Sequence, residues 1–569
     1  MTCILIDIVT AILVLSGASS AEDLSESEME RYCHYAEHPL RINIASRSRI
    51  LASGLMSAYQ VASLEDYRRR NGDVLGVLEL GLVDGFNAKV AEALGIFVSF
   101  ESTRPPGERE DRRVNQTIML RTGVRNKDGT AAAVGAKYHL EAGERAEFNW
   151  SSRNSYASPG FPPGTFSAAL YGKGGGKIIL GDFNARFGQG LAMWSGFSMS
   201  GFPTESAFHR NGTGFSPTGS FTPPLRGVAA VVDKSRWTFS AATALRPADN
   251  SFRLMPILAA CRLGRRGQFG LLAFCDEAAT VSADGTLGLG HLTFFGECAI
   301  SSRSLQENGM TILRTRFAAV GGASWAPAYQ TRITALARYY PADYNPAFAG
   351  PVRSASKVAD ETGFSMGARL GRTGFTFDAA RHPAKGGSSF KGIFQTEPSF
   401  NLNRINLSPV LKLSSRYRPG ETFQWRNEIR TDLKAAPNAP AAGRAAGMQA
   451  TCRLHLLKSE SWAGLAYAEC GYKTPSDSAS VRLSAFLRGT YFKTGSWNDR
   501  IYCYERDIPG SFSVPACYGR GWGLSALLGV ELRRTRMRHS LYLKGSLLRY
   551  PGTGRAGSSE LKLQYQAGL

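Results

Sequence analysis

The chain has 569 residues, a formal net charge of +21 and 62 glycines, a glycine share well above the usual ~7%. This balance excludes an acidic disordered chain, a disulfide-dense miniprotein and a collagen-like repeat. It leaves room for a membrane barrel, which hides its apolar face in every second residue.

Residues 1–21 contain an apolar run ending in small residues, with Ser19 and Ala21 at the cleavage positions of a secretory signal. Asp7 inside the run, and the absence of a preceding Lys or Arg, depart from that pattern. After residue 21 no uninterrupted apolar stretch approaches the ~18 residues of a membrane helix. The expectation is an exported chain without a helical anchor. Export permits disulfides. Cys503 and Cys517 are centred on the turn at Gly510, and Cys452 and Cys470 on Ser461. Each pair is a candidate cross-strand disulfide, with free thiols as the alternative.

Residues 22–40 form an acidic leader, and residues 41–104 are the convincingly helical part. Leu51, Leu55, Tyr59, Ala62 and Tyr67 recur at helical spacing, with breaks at Ser53-Gly54, Asn71-Gly72-Asp73 and Asp84-Gly85-Phe86-Asn87. Two short helical hairpins fit this pattern. The opening Ile42-Asn43-Ile44-Ala45-Ser46, the Tyr67-Arg68 ending, the Asn71-Gly72 turn and Val83 to Asn87 resemble the tandem helix-hairpin-helix module of the competence DNA receptor ComEA. The resemblance covers about 60 residues. It implies hairpins whose backbone N–H groups face DNA phosphates, as helix N-termini face anions. Leu55 and Ser57 stand where the first hairpin would carry glycines, and Asn87 replaces one in the second. The candidate phosphate or docking residues are therefore Gly54, Ser57, Arg68, Arg69, Arg70, Gly85, Asn87 and Lys89. Residues 22–104 hold nine Lys/Arg against thirteen Asp/Glu. Affinity for DNA rests on neutralising phosphates, so DNA is a partner the charge does not favour. A structural or protein-docking role suits the module better.

After a linker at 105–114, residues 115–569 follow a period of two. Ile118, Leu120, Thr122 and Val124 alternate with Met119, Arg121 and Gly123. Turn residues then separate Val134-Ala136-Tyr138-Leu140 from Ala146-Phe148-Trp150. The pattern continues through Trp237-Phe239-Ala241, Ile333-Ala335-Ala337-Tyr339, Phe423-Trp425-Ile429 and Val481-Leu483-Ala485-Leu487. It ends at Leu561, Leu563, Tyr565, Ala567 and Leu569, opposite Lys562, Gln564 and Gln566. Strands of about ten residues with one polar face suit a wet lumen. No repeated blade signature supports a propeller. The fold class is mainly β, a large transmembrane antiparallel barrel. About 455 residues, at roughly 20–25 per strand and turn, give on the order of 18–22 strands.

Two segments break the rhythm. In Gly181 to Gly190, Asp182, Asn184 and Arg186 share one strand face and Phe183, Ala185 and Phe187 the other. The expectation is a polar lumen cluster with a lumen-side ion pair, and aromatics toward the membrane. Tyr502 to Ser511 and Tyr518 to Gly523 suggest a long ordered hairpin. The Gly-Asp-Phe-Asn-Ala-Arg-Phe-Gly-Gln-Gly-Leu segment, the Tyr-Glu-Arg-Asp-Ile-Pro-Gly loop and the Leu-Lys-Leu-Gln-Tyr ending resemble a Bacteroidetes-type family of outer-membrane barrels with an N-terminal helix-hairpin-helix domain. That resemblance implies location and fold. The expected partners of such a barrel are outer-membrane lipid, the barrel-assembly machinery and a periplasmic protein.

Gly363-Phe364-Ser365-Met366-Gly367 matches a nucleophile elbow, but the flanking alternation is that of a strand without the required helix. Gly172 to Lys177 lacks the Gly-Lys-Ser/Thr of a phosphate loop and reads as a turn. The histidines show no metal-ligand spacing such as His-Glu-x-x-His. No catalytic residue, metal or cofactor is expected. The sequence points to an outer-membrane barrel acting in transport or envelope assembly, its module periplasmic or plugging the lumen. A DNA-uptake component is the alternative.

Overall fold

The computed structural model describes residues 11–12, 15, 26–86, 88–101 and most of 114–569, omitting from the last range single residues and short connections. The longest of these omissions are 157–163, 196–207 and 436–446. Within residues 26–101 the described chain forms five helices: α1 (Glu26–Glu37), α2 (Arg47–Ser53), α3 (Ala58–Asn71), α4 (Val77–Leu80) and α5 (Ala88–Leu94). A two-residue parallel ladder, Leu40–Arg41 with Val98–Ser99, ties the two ends of this module together. Twenty-four antiparallel strands then close into a barrel. The first, Val114–Asn126, pairs with the last, Ser558–Gly568, placing Ile118 opposite Ala567 and Leu120 opposite Tyr565. Closure leaves no strand edge facing lipid, where an unpaired backbone group would cost several kcal/mol.

The strand number exceeds the 18–22 expected. Many connections are far shorter than that arithmetic allowed: only two residues separate Lys234 from Trp237, Ala248 from Ser251, Leu289 from Leu292 and Leu370 from Thr373. The alternation itself holds. Ile118, Leu120, Val124, Phe239, Leu454, Leu456, Leu483, Leu487, Leu561 and Leu563 are all exposed on the outer face. Their neighbours Arg482, Arg488, Glu469 and Gln564 are buried toward the lumen. An exposed apolar surface of this extent is stable only in lipid. No helix among the described residues is long and apolar enough to cross a membrane.

The ends of the barrel differ. The N-terminal module, the C-terminal Leu569 and short turns such as Ala142–Ala146 share one mouth. The three longest connections, between Arg186 and Leu225, Tyr340 and Glu361, and Lys493 and Arg520, lie at the other. An arginine in place of Leu454, mid-strand on the lipid face, should cost about 2–4 kcal/mol if it falls near the midplane. Heat-modifiable migration should show this as a reduced folded fraction, with extraction of the wild type requiring detergent.

Candidate functional site

The module is built by local capping. Ser46 caps α2, its side chain accepting from Arg49 N, and Gly54 closes that helix at φ 67 with its N–H on Leu51 O. Ser57 opens α3 through a reciprocal capping box with Gln60. The wholly buried Asn43 joins the two halves, accepting from Val74 N and donating to Val74 O. Helix α1 lies in the segment read as an acidic leader, yet Tyr32 and Tyr35 bury it in the module core. Its two aromatic anchors among charged residues carry too little periodicity to announce a helix.

The candidate phosphate residues are distributed by this packing. Arg68 donates to the carbonyls of Ile42 and Asn43, Arg70 pairs with Asp66 one turn away, and Arg69 is exposed. Gly85 sits at φ 85 beneath the Tyr59 ring, and Gln60 donates to its carbonyl. In the first hairpin, Leu55 N donates to Ser53 Oγ and Ser57 N to Gln60 Oε1. Asn87 lies outside the described residues; Lys89 falls in α5, where its side chain is not described.

The module instead engages the barrel through residues that belong to no motif. Arg49, only 3% exposed, reaches Glu141 and, at 2.5 Å, Glu147, with its guanidinium 5.1 Å from the Tyr171 ring centre. Arg41 donates to Glu144 at 3.0 Å. Ser48 bonds Asp233, and both accept from Gly176 N, in the glycine-rich turn read as plain. Arg47 donates to Ser235 O at 3.1 Å. The three acceptor glutamates bracket the turn Ala142–Ala146, so a short helix enters the mouth against wall turns that close three different strand pairs. His34 of α1 also meets His139 and Glu141, a group of ligand-type side chains brought together by tertiary contact.

Behind α2 the lumen is filled. At Gly181, φ 93, a Cβ would lie 2.3 Å from Phe166 O; here the strand Lys177–Arg186 shifts partner and pairs with the short inner strand Gly214–Pro217. The expected lumen cluster and ion pair are thereby corrected. Asp182 accepts from Phe166 N at 2.8 Å and holds Arg226 at 2.7 and 2.9 Å, mending the wall where the strands separate. Arg186 instead donates to Ser195 O and lies over Trp194, while Asn184 pairs by backbone with Ser216. Phe183 and Ala185 face inward and are fully buried, not turned to the membrane. They pack with Leu191, Met193, Phe208, Phe215 and wall residues Ile179, Met255, Ile257 and Leu336 in a dry core. A wet lumen is therefore wrong for this flank. Glu297 secures the loop, accepting from the N–H groups of Gln189, Leu191 and Ala192 at 2.8–3.0 Å.

The opposite flank is ionic. The connection after Lys493 folds inward, its hairpin Ile501–Tyr502 with Ala516–Cys517 packing on Leu465, Phe492 and Tyr550. Arg506 and Arg488 share Glu469, each at 2.6 Å, while Asp507 takes Lys562 at 2.9 Å and lies 3.5 Å from Lys544. Burial pushes the Asp507 carboxyl up, but Lys544 and Lys562 outweigh it and hold it below the usual carboxylate range. The candidate disulfides are not formed. Cys503 and Cys517 are buried thiols, with Cys503 Sγ 3.8 Å from Tyr504 O; Cys452 and Cys470 are exposed, each two register positions from the other's partner. Ser365 sits inside a strand, its hydroxyl between Arg338 and Asp378 at 2.6 and 2.8 Å, so it is a wall residue in an ion network.

No family model matches the chain, and no curated protein matches it. Among solved structures it is similar to the translocation pore of the P pilus usher PapC, at 10% identity and TM-score 0.40, over 80% of this chain and 99% of that one. It is also similar to the siderophore receptor PirA from Pseudomonas aeruginosa, at 8% and 0.38, over 81% of each chain. A third is OccK2 (OpdF) from Pseudomonas aeruginosa, at 11% and 0.29, over 81% of this chain and 98% of that one. At these identities and scores the likeness concerns the barrel fold alone.

Replacing Glu297 by Ala strips the acceptor from three buried N–H groups, each worth about 1–3 kcal/mol when left unsatisfied. Hydrogen exchange at residues 187–195 should rise by at least tenfold while the wall strands keep their protection.

Proposed function

We propose that this protein is an outer-membrane transport barrel closed at rest, with the helical module as the stopper of its periplasmic mouth. The observation that carries the reading is Arg49, buried between module and wall against Glu141 and Glu147. An ion pair of this kind is weak glue when intact, but breaking one side of it costs about 3–5 kcal/mol. The stopper is therefore held in one position, and the inward loops narrow the passage behind it. The exposed leucines Leu75, Leu78 and Leu82 around α4, 75%, 90% and 81% accessible, support a periplasmic protein as the agent that displaces the module. The basic surplus of the chain lies outside residues 22–104, which supports an anionic or phosphate-bearing cargo. The family resemblance read from the sequence implies the same location and barrel fold.

A DNA-uptake role is the second reading. Exposed Arg69 and Arg70 at the end of α3 favour it. Against it stand the first hairpin, whose N–H groups are already bonded, and the placement of α2 in the mouth. Salt-sensitive duplex binding by the full-length protein in a gel shift would favour DNA; its absence at low salt supports the stopper.

Planar-bilayer recording tests the proposal directly. The wild type should conduct little, and Arg49→Ala should raise the open fraction about a hundredfold or more, since 3–5 kcal/mol exceeds two factors of ten. A variant as silent as the wild type would remove the stopper role. Asp507→Asn should loosen the opposite flank. Because the folded-state pKa of Asp507 is depressed, its contribution is present above the ordinary aspartate pKa of ~3.9 and is lost only as pH falls below it. Noise from this loop in wild-type recordings should accordingly stay unchanged between pH 7 and 5.

A further inference from the structure

The lumen-facing end of the strand Thr130–Ala142 carries His139 and Glu141 two residues apart, hence on one face. Helix α1 brings His34 over them. His34 Nε2 lies 3.2 Å and His139 Nε2 3.6 Å from Glu141 Oε1, and all three ligand atoms fall within 4.8 Å of one another. We propose that His34, His139 and Glu141 bind one divalent transition-metal ion, with zinc as the natural choice, bridging the helical module and the barrel wall.

Geometry comes first. A tetrahedral zinc with ligand bonds of ~2.1 Å has ligand–ligand edges of ~3.4 Å. The two His–Glu separations bracket that edge, so an ion fits with small side-chain adjustment. Proton placement agrees. His139 Nδ1 lies 2.6 Å from Asn149 Oδ1, and the amide orientation is set by Asn149 Nδ2 donating to Glu147 at 2.9 Å. An amide oxygen only accepts, so Nδ1 carries a proton, and Nε2 is the nitrogen left to ligate a metal once its own proton is lost. That Nε2 is shielded from solvent and has no hydrogen-bond partner. The local charge also suits a cation: Glu141, Glu144 and Glu147 face Arg41 and Arg49, leaving one carboxylate in excess. Arg49 shares Glu141 with the site and so orients the carboxylate while moderating affinity. Two imidazoles and a carboxylate are the donor set of open zinc sites, with water in the fourth position. The ion would tie α1 to the wall beside Arg49 and make the seating of the module metal-dependent.

Zinc binding by the full-length protein in detergent tests this without reference to conductance. Metal-free protein is titrated with Zn²⁺ against a chromophoric chelator. The expected result is one ion per chain, weakened at least tenfold in His34→Gln and in His139→Gln and unchanged in the exposed control His291→Gln. Zn²⁺ should also raise the unfolding temperature of the wild type and leave that of His34→Gln unmoved. No stoichiometric ion, or equal binding by both ligand variants, overturns the site and leaves a histidine–glutamate hydrogen-bond cluster in its place. Should a variant lose heat-modifiable folding, X-ray absorption of the wild-type zinc complex decides. Two imidazole nitrogens with carboxylate oxygen support the site; a sulfur or all-oxygen shell overturns it.

Discussion

Closure is the constraint from which the rest follows. In lipid every backbone donor and acceptor must be paired, so the strand Val114–Asn126 has to meet Ser558–Gly568. Once twenty-four strands close, the enclosed space exceeds what wall side chains alone can fill. The outer surface is then solved by alternation, and the inner surface is left as the problem the chain must still solve. It does so with its own connections and its own N-terminal module.

The two flanks solve that problem by opposite chemistry. On one, Phe183, Phe215, Leu191 and Met193 build an apolar core with the wall, closed by Glu297 gripping a loop backbone. On the other, Glu469 and Asp507 collect Arg488, Arg506, Lys544 and Lys562. An apolar core is packed at the density of a protein interior and resists hydration. Buried ion pairs add little net stability when intact, but losing one partner leaves an uncompensated charge. Arg49 sits at the module's end of these fillings, joining module to wall where the polar groups of α2 meet those of the turns.

Much of the fold was legible because lipid imposes a local rule. A residue that faces the bilayer must be apolar and its neighbour must not, and Ile118-Leu120-Val124 or Leu561-Leu563-Tyr565 display that rule within a few residues. The same rule misled at Gly181 to Phe187. There the alternation is real, but the strand has left the wall, so apolar means core rather than lipid. Only Gly181, with the positive φ and close backbone approach that an L side chain resists, hinted at the departure. The capping residues Ser46 and Ser57 and the glycine at 54 follow local chemistry and were readable as helix boundaries. The docking residues were not, because Arg49 resembles any surface arginine until Glu141 and Glu147 surround it.

By itself the sequence determined the outward face, the barrel class, the order of a helical module before the strands, and the seat of the basic surplus. Each is written in neighbours two to four residues apart, the range over which period and propensity act. Tertiary structure decided what fills the lumen, which of the many arginines is buried, and that His34 stands beside His139 and Glu141. Those outcomes depend on groups about a hundred residues apart along the chain and a few ångströms apart in space. Their cause is the burial of charge: a carboxylate taken from water must find its partner wherever the fold supplies one.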